Sequence, residues 1–235
     1  KRPMERVAKP LRLMGAGIST SPGGAVPMTV TGGGLAGISY RIPIASAQVK
    51  SAILIAGLFA DGQTRVEEPV QTRDHTERLL RAMSADITTA GTVTTLDPRK
   101  RIEAVKMAIP GDLSSAAYLI AAATCIAGSN VTIPSTGVNP TRTGFLSVVE
   151  AMGASIDFTN RKSYLEEPAA DIAVESGNLR AIELTCNAVS AMIDELPVFA
   201  VVATQAEGET VIHGAGELRV KESDRITSMV ENLAR

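Results

Sequence analysis

Apolar residues recur every three or four positions in six segments of the chain, and short β-branched runs lie between these segments. This spacing predicts helices with a buried face. We expect a first set at about 47–60, 113–126 and 195–207, and a second set at about 74–83, 141–152 and 222–235. A glycine ends each helix of the first set, and a strand is predicted directly after it. Alternating helices and strands indicate the α/β class.

A three-residue marker, Met-(Gly/Ser)-Ala, repeats along the chain at a constant interval. It begins at Met14, Met83 and Met152, so that both intervals are 69 residues long. An isoleucine follows four positions after each methionine and opens a predicted strand. The chain therefore contains an internal repeat of two helices and their strands. A solenoid is the structural alternative, but its repeats of about 20–45 residues are shorter than this one.

Polar and charged residues gather where the predicted helices begin. Ser, Asp and Thr at such positions, as at Asp112, Ser114 and Thr141, are explained as N-caps. Gln48 and Arg73 are poor caps and need another reason. Helix starts attract anions, because their N–H groups are free and the dipole is positive there. If the repeats pack in parallel, these starts form one electropositive face suited to phosphates and carboxylates.

The segment 218–225 is the most charged of these helix starts, with five charged residues of both signs among its eight. Apolar residues at helical spacing follow it, so Lys221, Glu222 and Arg225 are predicted near the start of an amphipathic helix. An anionic partner would offset the repulsion between two cations and the positive end of the helix dipole. A solvated, self-neutralising helix end is the alternative.

Composition narrows the possible functions. The 235 residues are 45% hydrophobic and 20% charged, with a net charge of −2, three Tyr, four Phe and no Trp. This balance argues against a general nucleic-acid binder. Cys125 and Cys186 are expected to be two buried thiols, and no Cys/His cluster indicates a metal site. No signal peptide or membrane-length apolar run is evident, so we expect a cytoplasmic protein. Because the chain begins with Lys1 rather than Met, we expect a piece of a longer protein.

Seven stretches resemble the 5-enolpyruvylshikimate-3-phosphate synthase family in order and approximate spacing. They are Arg2-Pro3-Met4, Ser46-Ala47-Gln48-Val49-Lys50-Ser51-Ala52, Thr72-Arg73-Asp74-His75-Thr76-Glu77, Pro110-Gly111-Asp112-Leu113-Ser114-Ser115-Ala116, Asn139-Pro140-Thr141-Arg142, Asp194-Glu195-Leu196-Pro197 and the segment 218–225. Singly each is modest, but the set covers the whole chain and is specific. The Ser-Ala-Gln-Val-Lys-Ser-Ala form is similar to the bacterial subgroup that includes glyphosate-tolerant members.

The resemblance implies a two-domain enolpyruvyl transferase-like fold, an inside-out α/β barrel of repeated βαβαββ units that is incomplete in this chain. Residues 1–109 would be the later part of the first domain, and residues 110–235 the earlier part of the second. The family's early Lys-Ser segment and its late Asp-His-Arg segment are not among the 235 residues. The implied partners therefore include N- and C-terminal segments of the parent enzyme, and this chain alone is expected to be inactive.

The family reaction moves the enolpyruvyl group of phosphoenolpyruvate onto the 5-hydroxyl of shikimate 3-phosphate and releases phosphate, with no metal or organic cofactor. The resemblance implies that Asp194 acts on the hydroxyl as a hydrogen-bond acceptor or base and that Lys221 and Glu222 serve proton transfer. It also implies that Arg2 and Arg225 bind phosphoenolpyruvate. Ser46, the Ala47 backbone, Gln48 and Arg73 would hold shikimate 3-phosphate. Some members have Asn at the position of Glu217, which we leave out of the site.

Four alternatives remain open at this stage. Asp194 could cap the helix that Pro197 starts, and Arg142 could be a structural partner of a carboxylate. The chain could resemble UDP-N-acetylglucosamine enolpyruvyl transferase, although neither Cys125 nor Cys186 lies in the loop where that enzyme carries its cysteine. It could also be a non-catalytic fragment that needs a complementing chain.

Overall fold

The computed structural model describes residues 4–221 and 223–235. Arg2 and Glu222, two of the predicted site residues, lie outside the described residues. The chain divides into two compact units, with the boundary between Lys106 and Met107. Each unit has its own apolar core, which includes Ile53 in the first unit and Phe145 in the second.

The first unit consists of three helices, eight strands and their connections within residues 4–106. In chain order these elements are α1 (Glu5–Leu13), β1 (Gly17–Ser21), β2 (Ala25–Thr31), β3 (Leu35–Ala36), β4 (Ser39–Arg41), α2 (Ala47–Gly57), β5 (Ala60–Asp61), β6 (Thr64–Glu67), α3 (His75–Ala82), β7 (Asp86–Ala90) and β8 (Val93–Asp97). Helices α2 and α3 fall where the apolar spacing predicts them.

One four-stranded sheet organises the first unit, in the order β4-β6-β8-β7. Strands β4 and β6 are parallel, whereas β8 is antiparallel to both of its neighbours. Read along the chain, β4, α2, β6, α3, β7 and β8 make one complete βαβαββ repeat. The hairpin of β1 and β2 and the parallel pair of β3 and β5 lie outside this sheet.

The second unit repeats the plan. Its elements are α4 (Leu113–Cys125), β9 (Asn130–Gly137), α5 (Gly144–Ala151), β10 (Ser155–Tyr164), β11 (Glu167–Glu175), β12 (Glu183–Leu184), α6 (Cys186–Ala191), α7 (Leu196–Ala203), β13 (Val211–Ile212), a 3-10 helix (Ala215–Val220) and α8 (Arg225–Leu233).

The sheet of the second unit has the order β10-β11-β9, and Gly111 bridges in parallel to Thr136 of β9. Gly111 therefore pairs with β9 as β4 pairs with β6 in the first unit, and the strand order of the two sheets is the same. A further repeat begins with β12 and β13, which pair in parallel. The predicted fold class, α/β with repeated βαβαββ units, is confirmed.

The Met-(Gly/Ser)-Ala marker ends a helix in each repeat. Its middle residue is left-handed in all three copies, with φ of 105° at Gly15, 66° at Ser84 and 116° at Gly153. A Cβ on Gly153 would lie 2.7 Å from the carbonyl oxygen of Asn178. Glycine fits this position because a left-handed residue ends the helix at least steric cost without a Cβ. Ser84 adopts the same conformation at some cost in strain.

The last helix differs from its prediction. It begins at Arg225 and not at about residue 222, because the carboxylate of Asp224 accepts a hydrogen bond from the Thr227 amide at 3.0 Å and caps the helix there. Residues 215–220 form a separate 3-10 helix, whose Leu218 is buried. Lys221 therefore lies between two helices and not inside one.

Two further expectations need correction. Helix α1, which contains Pro10, was not predicted from the apolar spacing. The expectation of two buried thiols is wrong, since Cys125 is only partly buried and Cys186 is exposed. Cys186 begins the short helix α6, and Val189 supplies the buried side chain of that helix.

Within residues 4–221 and 223–235, no helix is long and apolar enough to cross a membrane. The same residues contain no group of three or more His, Cys, Asp or Glu side chains that could hold a metal ion.

Candidate active site

The first unit carries a cavity of about 670 Å³, here called the Gln48 pocket. Its lining residues are Met4, Arg6, Val7, Ala47, Gln48, Ser51, Ala52, Ile55, Arg73, His75 and Thr76. Three of the predicted substrate-binding residues, Ala47, Gln48 and Arg73, are therefore brought together on one surface.

The starts of α2 and α3 form this pocket together with Met4, Arg6 and Val7 at the start of α1. Ser46 is the N-cap of α2, and its hydroxyl oxygen accepts a hydrogen bond from the Val49 amide at 3.4 Å. Ala47 and Gln48 then lie in the first turn of α2, while His75 and Thr76 open α3. Ser46 is thus held beside the pocket by its capping role, and its hydroxyl proton is still available to a ligand.

The described lining of the Gln48 pocket carries Arg6, Arg73 and His75 but no Asp or Glu. Arg6 donates from Nη2 to Oε1 of Gln48 at 3.2 Å, which orients the amide. The positive ends of two helix dipoles add to the charge of the arginines. Such a surface is suited to a phosphate or carboxylate group.

The second unit carries a cavity of about 560 Å³, here called the Asp194 pocket. It is lined by Ser114, Tyr118, Arg142, Asp194, Pro197, Ser223, Arg225, Ser228 and Met229. Oδ1 of Asp194 lies 3.8 Å from Nη1 of Arg225. The two predicted residues share one pocket, where a proton acceptor stands beside a cation. Asp194 does not cap α7, since the N-cap residue of that helix is Glu195.

Arg142 joins the start of α4 to this pocket. Its Nη2 donates to Oδ1 of Asp112 at 2.9 Å and also to the hydroxyl of Ser114. Asp112 is the N-cap of α4, as predicted, and accepts from the amides of Ser114 and Ser115. Burial alone would raise the pKa of Asp112, but hydrogen bonds from Ser115 and the charge of Arg142 outweigh it and lower the pKa. Arg142 is thus a structural partner of a carboxylate.

Glu195 lies behind the Asp194 pocket and is only 3% exposed. Its Oε1 accepts a hydrogen bond from the hydroxyl of Ser114. Burial raises the pKa of Glu195, and the nearby charge of Asp194 acts in the same direction, while Ser114 and Arg142 oppose it. Ser114 therefore receives from Arg142 and donates to Glu195, so the three side chains form one chain of hydrogen bonds.

Lys221 is not among the described residues that line the Asp194 pocket. Its Nζ lies 3.3 Å from Oε1 of Glu217, and its side chain is 16% exposed. Glu217, which the sequence analysis left out of the site, therefore forms an ion pair with the predicted proton-transfer lysine. No geometry bears on the roles predicted for Arg2 and Glu222, which lie outside the described residues.

Several lining residues were missed from the sequence. Arg6 was missed because α1 was not predicted, although two arginines follow one another at helical spacing in Arg2 and Arg6. His75 and Thr76 come two and three positions after Arg73 and could have been found as the first turn of the helix that follows it. Nothing in the local pattern indicates Tyr118, which is exposed on the otherwise apolar helix α4.

Comparison with known proteins identifies the family. A family model described as EPSP synthase (3-phosphoshikimate 1-carboxyvinyltransferase) matches residues 1–235. The chain belongs to the EPSP synthase family. A 3-phosphoshikimate 1-carboxyvinyltransferase from Brevibacillus brevis is 47% identical over 236 residues, which cover 100% of this chain and 55% of that protein. One from Geotalea daltonii is 49% identical over 99% of this chain and 54% of its own length. The chain thus spans about half the length of these relatives.

Solved structures agree with this family assignment. An EPSP synthase from Acinetobacter baumannii superposes with a TM-score of 0.85 and 47% identity, covering 99% of this chain and 53% of that one. The enolpyruvyl transferase NikO from Streptomyces tendae gives a TM-score of 0.71 at 19% identity, over 89% of this chain and 51% of its own. The second likeness shows a shared fold alone.

Proposed function

We propose that the protein containing this chain transfers the enolpyruvyl group of phosphoenolpyruvate to the 5-hydroxyl of shikimate 3-phosphate and releases phosphate, in aromatic amino-acid biosynthesis. The observation that carries this proposal is the Gln48 pocket. Two helix starts and the side chains of Arg6 and Arg73 face a cavity whose described lining has no carboxylate. Family membership supplies the identity of the anion that this cavity would bind.

Ser46, the Ala47 backbone, Gln48 and Arg73 would hold shikimate 3-phosphate. Arg73 would neutralise a phosphate charge, while Gln48, oriented by Arg6, would bind by hydrogen bonds. These contacts act on substrate and transition state alike, so they lower KM more than they raise kcat.

In the reaction, the 5-hydroxyl oxygen bonds to C2 of phosphoenolpyruvate while C3 gains a proton. The C2–O bond to phosphate then breaks, phosphate leaves with the electron pair, and C3 loses a proton as the double bond reforms. Asp194 would accept the hydroxyl proton, and Lys221 with Glu222 would serve the proton transfers at C3. Arg225 and Arg2 would hold phosphoenolpyruvate, Arg225 beside Asp194 at 3.8 Å.

We propose the domain division at 109/110, which lies three residues from the boundary at Lys106 and Met107. Residues 1–109 would belong to the first enolpyruvyl transferase domain and residues 110–235 to the second. The segments that relatives carry outside the match are proposed as partners, since they make up almost half of those proteins. A cytoplasmic location stays a prediction.

The test replaces the matching region of the Brevibacillus brevis enzyme with this chain and measures phosphate release that depends on both substrates. We expect turnover in this chimera, and little or none in the 235-residue chain alone. In the chimera, Asp194→Asn should lower kcat at least about a hundredfold, in line with typical general-base contributions. Arg73→Ala should raise the KM for shikimate 3-phosphate by about tenfold or more, as expected for a lost charged hydrogen bond.

Arg99→Ala is the matched control for Arg73→Ala, because the side chain of Arg99 is 87% exposed and pairs only locally with Asp97. It should leave both constants unchanged. Absence of turnover in the folded chimera would contradict the proposed function. Unchanged kcat in Asp194→Asn would remove Asp194 from the mechanism but leave the function standing.

A further inference from the structure

Three ionisable side chains lie together in the interior of the first unit, beneath the Gln48 pocket. Lys50, Glu68 and Glu77 are 1%, 4% and 1% exposed. Nζ of Lys50 is 2.7 Å from Oε2 of Glu68 and 2.6 Å from Oε1 of Glu77. Groups of this kind are rarely so buried unless they are paired.

We propose that Lys50 is a positioning residue for the shikimate 3-phosphate pocket, acting with Glu68 and Glu77 as a buried ion cluster. The identity of the ligand in this inference rests on the proposed function. The cluster itself does not touch the ligand. It fixes the two helix starts that carry Gln48 and Arg73.

The connections of the cluster carry the argument. Lys50 is in the first turn of α2, two residues after Gln48, and Glu77 is in the first turn of α3. Glu68 directly follows β6, and the hydroxyl of Thr72 donates to its Oε1. A single ammonium group therefore joins the end of β6 to the first turns of α2 and α3, and these two turns carry residues that line the pocket.

Arg73 is held from both sides by this arrangement. Its neighbour Thr72 is bonded to Glu68, and Glu77 lies one helical turn beyond it. Ser51 and Thr76, both of which line the pocket, also share a hydrogen bond of 2.7 Å between their hydroxyls. The first turns of α2 and α3 are thus joined by an ion pair and by a hydroxyl contact.

Directional bonds explain why an ion cluster suits this task better than apolar packing. Apolar side chains of similar volume would often stabilise the unit as well or better. The charge-assisted hydrogen bond from Lys50 to Glu68, however, fixes distance and angle between these two groups, and the ion pair with Glu77 holds the start of α3 close to the same ammonium group. Binding sites lose much of their effect when their groups are displaced by about 1 Å.

Glu77 is the member that depends most on Lys50. Apart from the ion pair, neither of its carboxylate oxygens has a hydrogen-bond partner among the described residues. The variant Lys50→Met would leave the carboxylate of Glu77 buried without a cation, which disfavours folding. The triple variant Lys50→Met/Glu68→Gln/Glu77→Met removes all three charges, keeps an acceptor oxygen at position 68 for the hydroxyl of Thr72, and is expected to fold.

The first arm of the test uses amide hydrogen exchange and needs no ligand. In the 235-residue chain, the triple variant should exchange at least about tenfold faster than the unchanged chain at residues 47–51 and 73–77. Amides of β7 and β8 should keep their rates. The matched control is Leu96→Ala, which removes a fully buried side chain from the core of the same unit. It should not raise exchange selectively at the two helix starts.

The second arm measures kinetics in the chimeric enzyme. A displaced pocket should raise the KM for shikimate 3-phosphate about tenfold and leave the KM for phosphoenolpyruvate within about twofold. A loss of folded protein alone would lower the apparent kcat without changing either KM. Leu96→Ala should show only that pattern.

The two arms separate this inference from the proposed function. If the unmodified chimera is inactive, the proposed function fails, and the exchange arm alone decides the role of the cluster. Faster exchange confined to the two helix starts supports positioning. Unchanged exchange there, or an unchanged KM for shikimate 3-phosphate in an active chimera, overturns it.

Discussion

Replacing Asp112 tests the structural role that we assign to Arg142 and its carboxylate partner. The Asp112 carboxylate accepts from the amides of Ser114 at 3.3 Å and Ser115 at 3.0 Å, and from Arg142 at 2.9 Å. Asp112→Ala removes these three bonds and also the one that the hydroxyl of Ser115 donates to Oδ2 at 2.8 Å. Asp112→Asn keeps an oxygen acceptor for the helix cap but removes the charge that faces Arg142.

The expected magnitudes follow from these contacts. A lost N-cap costs about 1 kcal/mol, within a range of about 0.5–2. The ion pair contributes about 0.5 kcal/mol, because the side chain of Asp112 is 52% exposed and that of Arg142 is 19% exposed. Asp112→Ala should therefore lower stability by about 1.5 kcal/mol, or Tm by roughly 3–6 °C. Asp112→Asn should lose only about 0.5 kcal/mol.

Calorimetric unfolding of both variants gives these differences directly. A double-mutant cycle with Arg142→Met isolates the ion pair, and its coupling should lie at about 0.2–1 kcal/mol. Because the pKa of Asp112 is lowered from 3.8, its charge stabilises the fold above that pH, and the contribution is lost as pH falls through the folded pKa. The difference between the original chain and Asp112→Asn should therefore narrow as pH falls below 3.8 and close once Asp112 is protonated in the folded state as well.

Two outcomes would refute this reasoning. Equal losses in Asp112→Ala and Asp112→Asn would mean that the hydrogen bonds to the helix start contribute nothing. A coupling energy near zero would mean that Arg142 is not held by Asp112, and the structural role assigned to Arg142 would then fall.

The remaining predictions concern one buried acid and the repeat marker. Burial raises the pKa of Glu195, so ionisation of this side chain destabilises the folded chain as pH rises above the ordinary value of 4.5. Glu195→Gln cannot ionise and should therefore become more stable relative to the original chain as pH rises from 4 to 7. A Tm difference independent of pH would contradict this. Ser84→Gly should stabilise by about 1 kcal/mol and Gly153→Ser should destabilise, since both positions are left-handed. Denaturant unfolding measures both, and the same sign in the two variants would exclude the explanation.

Much of the fold could be predicted because short local sequence patterns determine where the helices of each repeat begin and end. Each Met-(Gly/Ser)-Ala marker ends a helix with a left-handed residue, and that requirement acts on a single position. The helices α2, α3 and α4 were found because their apolar residues must face the core of their own unit. Helix α1 was missed because Pro10 breaks the local pattern, whereas packing within the unit overrides that preference.

The residues of the pockets could be predicted in groups, but their contacts with one another could not. Ser46, Gln48 and Arg73 could be assigned to helix starts from the local sequence. In the structure, Gln48 and Arg73 line one cavity. Lys221, by contrast, was expected at the start of the last helix because apolar residues at helical spacing follow segment 218–225. The cap at Asp224 decides otherwise, and this choice depends on where Leu218 must be buried.

The contacts of Lys50 show most clearly what could not be predicted from the sequence. A lysine inside the apolar helix α2 is an evident exception to the local pattern, yet its partners lie 18 and 27 positions further along the chain, at Glu68 and Glu77. No periodicity relates such distant positions, because they meet only once β6 and α3 have packed against α2 within the unit. Neither charge could be buried before the other is in place, since an unpaired ion costs several kcal/mol in the interior. The cluster must therefore form together with the tertiary structure, and the pocket above it can take its shape only at that stage.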